Sequence, residues 1–372
     1  MRVAVTSIVR GAGADEGSGF LRVVDIDGHR VLAKVPVRES EYRTIDPNPR
    51  GGYRGAKGLG VHGNRLVVAN SERLFVLDGR WRLLREISDP RMGSVHDILC
   101  EEDGIWVTCT NCDLLLKVGW DGQPLGHWSW RFDRQLASDL GFRSVPPFRD
   151  DLDYRDPRAT YGRVRSTVQL NALARTPEGL VLSFGRILSP RTMRRKRVYE
   201  RLAVAAARLG VAPRAEPRSQ AALPAPPEPG SAYALVLLRQ PPDEPLNPGA
   251  KAEVLYRREG LTVPNHNVLR TVHHLVYNDT DRGELVALDA RTLRPERAVR
   301  VPGTPSFARG LAQLDDDVFL VGSQAPTAIH LIDLAANSVL GGVVLGDDAR
   351  ESVYAITVLP ESFADPPAEF AV

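Results

Sequence analysis

The sequence predicts an all-β protein, a six-bladed β-propeller whose terminal strands close one blade, with an α-helix inserted in the fourth. Three observations carry that prediction. A triplet of one polar or amphipathic residue, one small or polar residue and one apolar residue recurs six times: Lys57-Gly58-Leu59, His96-Asp97-Ile98, Asn171-Ala172-Leu173, His266-Asn267-Val268, Arg309-Gly310-Leu311 and Tyr354-Ala355-Ile356. In the first five, a further apolar residue follows the third position by seven (Leu66, Ile105, Leu180, Leu275, Val318), across turns such as His62-Gly63-Asn64, Glu102-Asp103-Gly104 and Pro177-Glu178-Gly179. A third run ends in an aspartate at a tight turn, as at Leu77-Asp78-Gly79, Trp120-Asp121-Gly122, Leu288-Asp289-Ala290 and Ile332-Asp333-Leu334. Four short antiparallel strands repeated at roughly 40-residue spacing are the signature of a propeller blade.

Taken in chain order, residues 2–8, 20–27 and 29–35 supply three strands of a blade that lacks its inner strand. Residues 353–359 are a lone inner strand at the other end, so the two ends complete one blade and remove an open edge. Blades two to six follow from the first five triplets, giving one domain over 1–372. Two segments break the rhythm. Between blades three and four, 130–167 carries Pro146-Pro147-Phe148 and an acid-rich Asp150-Asp151-Leu152-Asp153. Blade four is interrupted by an insertion over 186–231. There Ser189-Pro190 is a helix start and Met193, Val198, Leu202, Ala205, Ala206 and Leu209 recur at helical spacing, the apolar face expected against the propeller as a lid or brace. A Pro/Ala-rich linker over 212–230 leads back to the strand at 233–238.

Composition narrows the functional classes. With 372 residues, 43% hydrophobic, 25% charged and a net charge of +2, the chain has the balance of a globular protein rather than a disordered one. Only five of the 48 basic residues are lysines, and the arginines are interspersed with 46 acids, so no nucleic-acid footprint is expected. The first apolar run, residues 3–9, is broken by Thr6 and Ser7 and is too short for a signal core or a membrane span, which predicts a cytoplasmic protein with no transmembrane segment. Three cysteines make no disulfide framework, and Cys109-Thr110-Asn111-Cys112 falls at a strand turn with only Cys100 as a third thiolate, a structural reading. Asp150, Asp151, Asp153 and Asp156 lack the spacing of a calcium loop and read as a solvated acidic segment.

The first residue of each triplet begins an inner strand at the channel mouth, which predicts a ring of Lys57, His96, Asn171, His266, Arg309 and Tyr354. Lys57 and Arg309 bring positive charge, the histidines exchange protons near neutrality, and Asn171 and Tyr354 offer neutral hydrogen bonds. The expected guest is an anionic or polar small molecule. It would be held by Lys57, Asn171, Asn267 and Arg309 and worked on by His96, His266, Asp97 and Tyr354. A competing arrangement has His96 and His266 as ligands of one divalent metal ion, with Asp97 and Asn267 adding oxygen donors. Two classes of function fit this ring. One is a small-molecule enzyme, a hydrolase, lyase or related acid–base catalyst; the other is a non-catalytic scaffold or sensor that holds a peptide or metabolite at the same face. Oligomeric state is not legible.

Val95-His96-Asp97-Ile98, Ile105-Trp106-Val107, Pro146-Pro147-Phe148, Gln169-Leu170-Asn171-Ala172-Leu173, Pro264-Asn265-His266 and Ala308-Arg309-Gly310-Leu311-Ala312 resemble, in that order, the blade motifs of a family of bacterial six-bladed propellers of unknown function. That family shows His-Asp-Leu, His-Leu-Asn-Gly, Pro-His-Ser and Thr-Arg-Gly-Leu; here Gln169 stands at the place of a histidine and Asn265-His266-Asn267 at that of Pro-His-Ser. More distantly the architecture is similar to the lactonase and strictosidine-synthase-like propellers. The second resemblance implies a site at this end of the channel, and no reaction is carried over from it.

Overall fold

The computed structural model describes residues 1–13, 15–46, 53–145, 147–160, 166–188, 198, 202, 231–241 and 244–372. They form six four-stranded antiparallel sheets. The innermost strands are Leu59–His62, Val95–Glu101, Leu170–Thr176, His266–Arg270, Leu311–Gln313 and Glu351–Val358, and each contacts the next, with the last returning to the first. Blade one is the composite expected from the sequence: from inside outwards it reads Glu351–Val358, Arg2–Val9, Gly19–Asp25 and Arg30–Pro36.

The strands are apolar on both faces because each sheet is sandwiched between two neighbours. The second and third strands of blade three, Gly104–Cys109 and Leu114–Val118, are buried at every position, whereas the outer strand of blade two, Leu83–Ile87, exposes its middle. Accordingly the interior is six apolar clusters, one in each seam between blades. Val67, Val76, Ile98, Ile105 and Val107 join blades two and three; Leu235, Tyr277 and Val286 join four and five. Side chains interdigitating between sheets in this way supply the bulk of the stabilisation.

Closure is reinforced by an ion pair inside blade one. Arg22 on the third strand donates from Nη1 and Nη2 to the two Glu351 oxygens on the innermost strand at 2.6 and 3.0 Å, and Nη1 also reaches Ser7 Oγ at 2.6 Å. The Ser7 hydroxyl in turn donates to Glu351. All three residues are buried, so the pair is satisfied only if both chain ends are in place.

The inserted helix falls largely outside the described residues. Within it Val198 and Leu202 are helical and exposed. The strands that flank the insertion end at Ile187 and begin at Ala232, which are cross-strand partners, so the chain leaves and rejoins blade four at one rung. No helix among the described residues is long and apolar enough to cross a membrane. The acidic residues at 150–156 lie in arginine-rich turns, with Arg149, Arg155 and Arg158 paired to Asp151, Asp153 and Asp156.

Glu351→Ala leaves the buried Arg22 guanidinium unpaired and is expected to cost about 3–5 kcal/mol of unfolding free energy. An Arg22→Met/Glu351→Met double variant is expected to recover most of that loss, as read by denaturant unfolding. Equal loss in the double and the single variant would show that the pair does not act as a unit.

Candidate functional site

The triplets have a local structural cause. In four of the six inner strands the register against the second strand slips at the triplet: between Val95 and Ile98, between Leu170 and Ala172, between His266 and Val268, and opposite Thr6/Ser7 at Tyr354. Such a bulge puts an additional residue on one strand and re-aims its side chain. Asn267 and Gly310 take left-handed backbone angles, φ 50° and 80°, at the second triplet position of blades five and six. A small or short polar residue is what that position tolerates.

Each triplet is also held by the preceding blade. Thr6 of blade one bonds the Lys57 carbonyl, and the Val95 amide donates to Ser71 O at 2.9 Å. Thr110 Oγ1 donates to Leu170 O and Thr280 Oγ1 to Ala308 O, both at 2.7 Å, while the Asn265 and Val353 amides donate to Gly185 O and Ser323 O at 3.0 and 3.2 Å. Six seams thus carry six clamps, each at or immediately before the first triplet residue.

Four members of the predicted ring meet across the axis. The His96 ring lies 6.1 Å from that of His266, nearly parallel at 7°, and 5.6 Å from Tyr354, edge to face. Arg309 sits with its guanidinium carbon 3.3 Å from the centre of the Tyr354 ring and Nη2 a long 3.5 Å from His96 Nδ1. Lys57 Nζ donates to Ser94 Oγ at 3.2 Å. Asn171 is turned to the seam between blades four and five, where Nδ2 donates to Asn265 O at 3.0 Å while buried Oδ1 has no hydrogen-bond partner. The second triplet residues are engaged by backbone. The Asp97 oxygens accept from the Ile98 and Leu173 amides at 3.0 and 3.4 Å, and Asn267 Oδ1 accepts from the Gly310 amide at 2.8 Å and from Asn278 Nδ2 at 3.2 Å.

The hydrogen bonds fix the tautomers of the two imidazoles. Thr280 gives its only hydroxyl proton to Ala308 O, so at 2.9 Å from His266 Nδ1 it accepts; His266 therefore carries its proton on Nδ1 and keeps a lone pair on Nε2. A guanidinium only donates, so His96 Nδ1 accepts from Arg309 and the His96 proton is on Nε2. Burial, then the charges of Lys57 and Arg309, hold the His96 pKa well below the ordinary histidine value; burial, then Arg309 and Arg10, do the same for His266. Both rings are neutral at pH 7. The mouth thus holds one imidazole acceptor and one imidazole donor.

Neither main cation has an acidic partner at contact distance. Among the described residues Arg309 and Lys57, 5% and 7% exposed, form no ion pair; Arg309 donates to His96 and Lys57 to Ser94. Burial, followed by repulsion from Arg54 and Arg309, brings the Lys57 ammonium down to about 7, and burial raises Asp97 to about 7 and Tyr354 to about 12. No group of three His, Cys, Asp or Glu side chains converges among the described residues. The charges that lower both imidazole pKa values also oppose a metal cation at these nitrogens. The three thiols are buried and their pKa values are pushed up by burial, with neither redox nor metal-site character. Sequence reasoning overlooked Thr280, Ser94, Arg54 and Arg10. Of these only Thr280 left a signal, the hydroxyl residue just past a second strand that recurs as Ser71, Thr110 and Ser323.

A lysine whose folded pKa is about 7 against about 10.4 unfolded carries its charge penalty in full below pH 7 and loses it as pH rises towards 10. Lys57→Met is therefore expected to stabilise the fold by on the order of 4 kcal/mol at pH 6 and by little at pH 10. A gain that does not change with pH, measured by denaturant unfolding across that range, would contradict the shift.

No family model matches the chain, and no curated protein sequence matches it. Solved structures do. A protein of unknown function from Bacteroides caccae is 10% identical with a TM-score of 0.51, over 95% of this chain and 97% of that one. Streptogramin B lyase is 10% identical with a TM-score of 0.45, over 80% and 72%, and a chain of the nidogen/laminin complex is 10% identical with a TM-score of 0.48, over 96% and 97%. At 10% identity the likeness to the Bacteroides caccae protein is one of fold alone; the six four-stranded sheets described above make this chain's fold a six-bladed β-propeller.

Proposed function

We propose that the channel mouth binds a small organic anion and performs acid–base chemistry on it, of the lyase or hydrolase kind. The observation that carries the reading is Arg309: a buried guanidinium that among the described residues has no carboxylate at ion-pair distance, Asp97 acting on it only from farther off, packed on Tyr354 and beside two neutral histidines. Burying a cation without a counter-ion is costly, and an anionic ligand removes that cost. Arg309 is suited to a carboxylate or phosphate through its planar fork of donors.

In this reading the anion docks on Arg309 and Lys57, exchanging Arg309's long contact with His96 for a stronger charge-assisted one. His266 Nε2, its other nitrogen tied to Thr280, takes a proton from the ligand, and His96 Nε2–H supplies one. Tyr354 keeps its proton near neutrality, so its buried hydroxyl is available as a donor. Asp97 and Asn267 hold the bulges in shape and do not touch the ligand.

The test is thermal unfolding at pH 7 with a panel of small mono- and dicarboxylates, phosphate and sulfate. At least one anion is expected to raise Tm of the wild-type protein by a few degrees and leave Arg309→Met unmoved, as ligand linkage requires. No protection by any anion, or equal protection of the variant, would overturn the reading. With a protecting ligand in hand, His266→Gln is expected to keep the Tm shift and to lose turnover of that ligand by roughly 100-fold or more, the usual scale for removing a general base.

A further inference from the structure

The reading above leaves Lys57 as a second cation, but its surroundings differ from those of a residue that only lends charge. The chain has another buried lysine, Lys117, 2% exposed, and it is treated in the ordinary way: Nζ pairs with Asp103 at 2.5 Å and lies 4.6 Å from the centre of the Trp106 ring. Lys57 is nearly as buried, and its Nζ donates to the hydroxyl of Ser94, a residue in the left-handed region at φ 55°. A hydroxyl accepts from an ammonium and can equally donate to an amine, so it does not require the charged form. Arg54 and Arg309 act on Nζ from nearby and oppose its protonation, more strongly than Glu72 and Asp46 favour it.

The backbone holds the amine in place. The Lys57 amide donates to Ala69 O at 2.6 Å, its carbonyl is bonded by Thr6, and a side chain at Gly58 would come within 3.2 Å of the Asp97 backbone, so the strand start is bonded at Lys57 and lies tight against blade three. A buried amine with no carboxylate at ion-pair distance among the described residues, acted on by Arg54 and Arg309 and near the neutral His96, has the features of an amine nucleophile rather than of a structural ion pair.

We propose that Lys57 is a catalytic residue that forms an imine with a carbonyl-bearing anion, the substrate class being small 2-oxo acids or aldehydic carboxylates whose carboxylate docks on Arg309. This rests on the anion reading and names its substrate class. The neutral Nζ adds its lone pair to the carbonyl carbon, the carbon–oxygen π pair moves to oxygen, and a proton passes from nitrogen to that oxygen to give a carbinolamine. The hydroxyl, accepting a hydrogen bond from His96 Nε2–H, takes a proton from solvent and departs as water with its bonding pair, leaving a protonated imine and His96 unchanged. No oxidant or reductant enters. The iminium then draws electrons from the adjacent carbon, and His266 Nε2 takes the proton released there, which is chemistry of the lyase type.

The experiment incubates the full-length protein at pH 7 with glyoxylate and sodium cyanoborohydride and follows carboxymethylation of each lysine by peptide mass spectrometry. A neutral fraction near one half at Lys57, against about one in two thousand for an ordinary lysine, predicts labelling of Lys57 roughly tenfold or more faster than exposed Lys251. Labelling of Lys57 is expected to fall at least to the Lys251 rate in Arg309→Met, while labelling by formaldehyde, which has no carboxylate, persists there. Lys57 labelled no faster than Lys251 in the wild type overturns the proposal, and so does glyoxylate labelling that survives Arg309→Met undiminished. Glycolate, the analogue without a carbonyl, is run in parallel by thermal unfolding. Arg309-dependent protection by glycolate with no labelling of Lys57 sinks the imine and leaves the anion site standing.

Discussion

Everything at the channel mouth depends on the pairing of Arg2–Val9 with Glu351–Val358. A blade is an open-edged sheet, and six in a row would leave two unsatisfied flanks; joining the ends turns the row into a circle in which every seam is the same kind of interface. Only then do the six clamps form a closed chain, each blade holding the start of the next inner strand. The buried Arg22–Glu351 pair is the polar element of that joint: it reaches across Arg2–Val9 and ties the third strand of blade one to its innermost strand.

The mouth is held in an arrangement that does little for stability on its own. Two cations without acidic partners, two neutral imidazoles and the unsatisfied oxygens of Asn171 and Tyr354 are gathered at one end of a structure whose seams are apolar. Elsewhere the same chain pairs its buried charges with care, as in Arg131 with Asp113, Arg258 with Asp279 and Lys117 with Asp103. For Arg309 and Lys57 that pairing is missing among the described residues, as it is for buried Glu72, and at the mouth the anion proposed above would supply it.

The legibility of the fold in the sequence follows from the bulge. A polar residue aimed at the axis, a small residue where the backbone turns and an apolar residue facing a seam make a triplet that no regular strand would repeat, so fold and strand order could be read before any coordinates. The same bulge hid the roles of the second positions. Asp97 and Asn267 are carboxylate and amide, the usual vocabulary of ligands, yet the bulge turns them towards free backbone amides. The geometry of His96 was equally invisible: its reach across the axis to residues of blades one, five and six depends on distances that no spacing along the chain encodes. Arg22 and Glu351, 329 positions apart, look in sequence like two solvent-facing charges.

The composite first blade also sets an order on the ribosome. Three of its strands are made before blades two to six and its innermost strand after them, so Arg2–Val9 must wait with an unpaired edge while those blades are being made. Such a contact, at nearly the largest sequence separation the chain allows, is the slowest kind to form and the one most open to capture by another chain. Blade one is thus a checkpoint of synthesis: the clamps on Lys57 and Tyr354 cannot be completed, and the mouth cannot reach its final electrostatics, until translation has reached the end of that strand.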